Sequence, residues 1–145
     1  MASWRDSASE QAQADLDGLL NAVLAFAQQQ LEAHGAFFPF GATVGTDGQI
    51  ALAAADPREG ERPGSQSVLE ALYDGVRADR GSRRAAACVA DVLIEGRDAI
   101  RVELEHTEGA SMSVALPYSR SRIRKSISYG QMQAGAGHPH VWPKS

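Results

Sequence analysis

The chain has 145 residues, 43% of them hydrophobic and 22% charged, with a mean hydropathy of -0.27; this is an ordinary soluble composition, sized for one domain that buries a core without staples. The formal net charge of -4 argues against a dedicated nucleic-acid binder, because neutralising phosphates takes a surplus of Lys and Arg. The lone cysteine, Cys88, excludes an intrachain disulfide, and no apolar run approaches the length of a membrane span.

The opening residues, MASWRDSASE, lack an apolar signal core, so the sequence reads as cytoplasmic with no membrane partner, and its Ala and Arg usage reads as bacterial. Ser7 to Glu10 has capping-box spacing. Leu16, Leu19, Leu20, Val23, Leu24, Ala27 and Leu31 then recur with helical period, and Gly35 offers a left-handed stop. The spacing predicts a long helix from about Ala8 to Ala33.

Residues 34–56, HGAFFPFGATVGTDGQIALAAAD, read as a hairpin turned at Asp47-Gly48. Phe38, Phe40, Ala42 and Val44 alternate onto one face, and Ile50, Leu52 and Ala54 answer on the returning strand. Pro39 has no ladder donor and limits the first strand. Residues 56–64, DPREGERPG, carry every marker of a loop.

Ser67 to Glu70 repeats the capping-box spacing and opens a second helix through Leu72, Tyr73 and Val76 to about Asp79, ended by Gly81. Three strands follow as a meander. Residues 85–95 are apolar on both faces and therefore central. Residues 99–106 alternate, with Ile100, Val102 and Leu104 inward and Arg101, Glu103 and Glu105 outward. The last strand turns Met112, Val114 and Leu116 inward before Pro117. Gly96-Arg97-Asp98 and Glu108-Gly109 are the expected turns.

The expected fold is α+β: a single antiparallel sheet of about five strands with two packed helices. Residues 1–117 form one domain, and residues 118–145 a basic segment with an extended C-terminal tail. Trp142 is the tail residue expected to pack onto something. The order helix, hairpin, helix, meander resembles the roadblock/longin branch of the profilin-like fold over roughly Ala8 to Leu116. The string GAFFPFGATV…DGQI is also similar to one found in small uncharacterised bacterial proteins, a resemblance that implies no activity.

Glu103 and Glu105 share a strand face with Arg101, a set that could serve acid–base work or a divalent ion in a cleft; a solvated strand face is the plainer account. His106 points to the opposite face. His138 and His140 have metal-ligand spacing but lack a third and fourth ligand, and His34 is accounted for by the helix dipole. Cys88 lies in an apolar strand, where burial suppresses nucleophilicity. No GxSxG, HExxH, CxxC or phosphate-binding glycine loop is present. No catalytic residue, metal or cofactor is therefore expected.

The densest charge lies beyond Pro117, where Arg120, Arg122, Arg124 and Lys125 could meet an anionic partner or serve only as a solvated edge. Small outward residues (Gly41, Ala51, Ala53, Ser111, Ser113, Ala115) suit close approach by a helix or a second subunit. The sequence therefore points to a non-enzymatic binding or regulatory module acting through protein–protein contacts, with a homodimer as the expected assembly. The alternatives are a small ligand-binding protein or enzyme using Arg101, Glu103 and Glu105, and an anion or nucleic-acid contact at Arg120 to Lys125.

Overall fold

Helix α1, Glu10–His34, is fixed at both ends by its caps. The Ser9 hydroxyl accepts from the Ala12 N–H at 3.1 Å, and Gly35 closes the helix at φ 77, a left-handed conformation that a Cβ would strain. The helix thus starts from Ser9 and runs one residue past the expected Ala33; Ser7 lies outside the described residues. A computed structural model describes residues 9–35, 37, 39–54, 73–78, 80–121, 126–137 and 141–142.

Among the described residues seven strands follow: β1 (Phe40–Gly45), β2 (Ile50–Ala54), β3 (Arg83–Ile94), β4 (Arg97–His106), β5 (Ser111–Arg120), β6 (Ile127–Tyr129) and β7 (Gln133–Ala136). They form one antiparallel sheet in the order β2-β1-β3-β4-β5-β6, with β7 also on β5. A helical segment spans residues 73–78, followed by a single 3-10 turn, Arg80–Ser82. The start of the second predicted helix and the predicted loop at 56–64 lie outside the described residues.

The mixed α and β class and the single antiparallel sheet are as expected, but among the described residues the sheet has seven strands where about five were predicted. β5 does not stop at Pro117, and the extra two strands come from residues 127–136. Tyr118 faces Tyr129 while Ala115 faces Gln133, so the edge carries one residue more than β5 over that stretch and bulges. Pro117 explains the bulge. Its carbonyl accepts from the Gly130 N–H at 2.8 Å, so its missing N–H is also turned to this edge, where a ladder bond would otherwise form.

α1 packs across β1, β3 and β4. Leu16, Leu19, Val23, Ala27 and Leu31 meet inward rows from four strands, among them Phe40, Val44, Val89, Ile100, Val102, Val114 and Leu116. Phe26 and Phe37 set their rings edge-on to Phe40, with centroids 4.8 and 5.7 Å away. Phe38 lies outside the described residues. The β3–β4 turn is also displaced from the expected Gly96-Arg97-Asp98. Ile94 pairs with Arg97, and the two turn residues are Glu95 at φ 52 and Gly96 at φ 79.

Candidate functional site

Arg101, Glu103 and Glu105 do share the sheet face opposite α1, yet each is held by a different neighbour. Arg101 Nε donates to Glu103 Oε1 at 2.8 Å, and the Ser113 hydroxyl donates to the same oxygen at 3.1 Å. Glu105, only 4% exposed, turns elsewhere: its Oε1 accepts the N–H of Val141 at 2.8 Å and of Trp142 at 3.0 Å. The carboxylate therefore fastens a segment from beyond β7 across the sheet. Val141 is fully buried with Val76 and Ala86, flanked by Tyr73 and Trp142.

Cys88 faces Glu103 across the β3–β4 ladder and is buried. Burial pushes its thiol up to about 12; a hydrogen bond with Tyr73 offsets part of this, while Glu105 and Glu103 add to it. The sulfur is thus held as a thiol at neutral pH, the wrong form for a nucleophile. The same burial, with Cys88, Glu103 and Glu105 nearby, raises the Tyr73 phenol.

A second polar cluster joins α1 to the sheet. Asp15 receives Arg84 through Nε and Nη2, both at 2.9 Å, and lies 2.9 Å from His106 Nε2. His106 Nδ1 accepts the Glu108 N–H at 3.1 Å, so the ring proton sits on Nε2 and points at Asp15. Both ring nitrogens are thereby engaged, which suits a structural lock rather than a proton shuttle. Asp15 and Arg84 were not singled out from the sequence. A signal did exist, because Asp15 falls on the inward stripe of α1 between Ala12 and Leu19.

At the far end of the same face β4 and β5 part. Their register ends at Ala99↔Pro117, and beyond it Gly96 to Asp98 and Tyr118 to Arg120 wall an open cavity of about 600 Å³. Tyr118, one of its lining residues, donates to Asp91 at 2.5 Å. Burial raises the Asp91 carboxyl, partly offset by that bond, and burial together with Asp91 pushes the Tyr118 phenol up to about 12. Arg120, first of the predicted basic row, lies over the Tyr118 ring at 5.9 Å. Arg122, Arg124 and Lys125 lie outside the described residues, as do His138 and His140.

The most exposed apolar groups lie elsewhere. Ile50 and Leu52, on β2 at the end of the sheet, are 46% and 58% exposed. Ile50 leans toward Gly18 of α1, whose Cβ position is 3.8 Å from its Cδ1. Leu93 and Ile94 protrude at the tip of the β3–β4 hairpin.

Among the described residues no group of three or more His, Cys, Asp or Glu side chains is placed to hold a metal ion. No helix among them is long and apolar enough to cross a membrane. No protein-family model matches the chain, and neither the curated proteins nor the solved structures contain a match.

Proposed function

We infer that this protein is a non-enzymatic binding or regulatory module that acts through protein–protein contacts, and that a second copy of the chain is its partner. The observation that carries the reading is strand β2. It ends the sheet among the described residues and presents Ile50 and Leu52 to solvent. A sheet edge with two apolar side chains invites pairing with another strand, and soluble proteins normally blunt such edges with charge. Two copies meeting edge to edge about a twofold axis would bury both pairs against each other and against the small-residue flank of α1 at Gly18.

The non-enzymatic part rests on how the polar groups are spent. Arg101 and Glu103 bond to each other, Glu105 to the main chain at 141 and 142, and His106 to Asp15 and Glu108. A lone buried thiol suits a reducing compartment, and on that ground the reading places the protein in the cytoplasm. Leu52→Lys tests the assembly. Light scattering on the eluting protein should show the wild type as a dimer and the variant as a monomer with an unchanged circular dichroism spectrum. Equal masses for both would remove β2 as the contact.

A further inference from the structure

The cavity between β4 and β5 exists because two pairs of strands part. Arg97 and Asp98 stay paired with Ile94 and Leu93 on β3, while Tyr118, Ser119 and Arg120 pair with β6. The β4–β5 register stops at Ala99↔Pro117. Side chains still alternate along each strand, so the cavity has two unlike walls. Asp98, Tyr118, Arg120 and Tyr129 fall on the α1 side of the sheet, where Tyr118 belongs to the core. Arg97, Ser119 and Ser128 fall on the other side and are exposed.

That second wall is a row. Carried on past Ala99↔Pro117, the register sets Arg97 opposite Ser119, and Ser119 faces Ser128 across the β5–β6 ladder. Elsewhere on this face the polar side chains are paired off: Arg101 and Ser113 with Glu103, and Ser111 with the Gly137 carbonyl. Among the described residues the side chains of Arg97, Ser119 and Ser128 have no hydrogen-bond or ion-pair partner. The row offers a guanidinium fork of N–H groups and two O–H groups, with no carboxylate among them. Asp98, the acid that lines the cavity, lies on the α1 side near the charge of Arg120. Glu95 lines a neighbouring cavity and not this one.

We propose that this cavity binds a phosphate monoester of a small organic molecule, with the phosphoryl group on Arg97, Ser119 and Ser128. A guanidinium takes two oxygens of an oxyanion side by side, and the paired hydroxyls supply donors for a third, which a carboxylate does not have. The organic body occupies the remaining space against Tyr118 and Tyr129. Gly96 and Gly130 line that space and bring no side chain to fill it, and its volume of about 600 Å³ falls in the small-molecule range. The cavity lies among β4, β5 and β6, at the end of the sheet away from β2, so the proposal does not depend on how copies associate.

The test titrates phenyl phosphate, inorganic phosphate and benzoate into the full chain at neutral pH by calorimetry. Phenyl phosphate should bind saturably and at least about tenfold more tightly than either of the others, since inorganic phosphate lacks the body and benzoate the third oxygen. Arg97→Gln should weaken it about tenfold or more, the scale for losing a charge-assisted pair of bonds. Ser119→Ala combined with Ser128→Ala should also weaken it about tenfold, for two hydrogen bonds lost. Arg101→Gln, on the same face but outside the cavity, should leave the affinity unchanged. Should Arg97→Gln shift the urea midpoint, Arg97→Lys keeps the charge, removes the fork and should still bind several-fold more weakly. A wild-type chain with no saturable heat from phenyl phosphate overturns the proposal. So does an affinity indifferent to Arg97→Gln, an equal loss in Arg101→Gln, or inorganic phosphate or benzoate binding as tightly as the ester.

Discussion

The ring of His106, at the last position of β4, and the carboxylate of Asp15, in the second turn of α1, meet at 2.9 Å. Arg84 closes the same carboxylate from β3, so one buried anion joins the helix to two strands. Asp15→Ala leaves a guanidinium and an imidazole N–H without their acceptor. It should cost about 3 kcal/mol, the scale for breaking a buried pair on one side, read as a shift in the urea midpoint. A cost under about 1 kcal/mol would mean that water replaces the carboxylate at no loss.

That cluster also sets an acid dependence. Burial opposes the ionised form of Asp15, but the hydrogen bonds it accepts from Arg84 and His106, with the Arg84 charge, prevail and hold its carboxyl below the ordinary 3.8. A depressed folded value stabilises the fold in full above the unfolded pKa, and that contribution fades as pH falls through the folded one. Asp15→Asn should therefore be less stable than wild type at pH 7, with the gap narrowing once the pH drops below 3.8. A gap that stayed constant down to pH 2 would contradict this.

Phe40 is the anchor of the hairpin, buried against α1 and met edge-on by Phe26 and Phe37. Phe40→Ala should cost roughly 3–5 kcal/mol, much of the stability of a domain this size. A thermal midpoint within a degree or two of wild type would refute the packing described.

Two substitutions should leave stability unchanged or raise it. Glu95 holds φ 52 in a two-residue turn, a conformation that suits Asn or Gly far better, so Glu95→Asn should gain about 0.5–1 kcal/mol. The Tyr129 hydroxyl is buried without a hydrogen-bond partner, so Tyr129→Phe should be neutral or gain up to about 1 kcal/mol. Chemical denaturation of the two variants checks both, and a loss above about 1 kcal/mol in either would show a missed contact.

The helix, the hairpin and two of the long strands were legible through their periods, the 3.6-residue stripe from Leu16 to Leu31 and the alternation from Ile100 to Leu104 and Met112 to Leu116, and β3 was legible as a continuous apolar run. β6 and β7 were not. Ile127 and Tyr129 are too few to set a period, and Gln133 to Ala136 is wholly exposed; these strands exist because the edge of β5 offers bonds to satisfy. The cluster at Asp15 was half-visible as a charge on an apolar stripe. The role of Glu105 was hidden, because its partners Val141 and Trp142 lie far along the chain and contribute main-chain N–H groups, which no side-chain pattern records.

The central claim, assembly through the β2 edge, is tested most directly by sedimentation equilibrium of the full chain across the micromolar range, with Leu52→Lys run alongside. The account predicts a concentration-dependent mass rising to twice 15.4 kDa for the wild type and a constant single-chain mass for the variant. A wild-type chain that stays at 15.4 kDa at every concentration would contradict it.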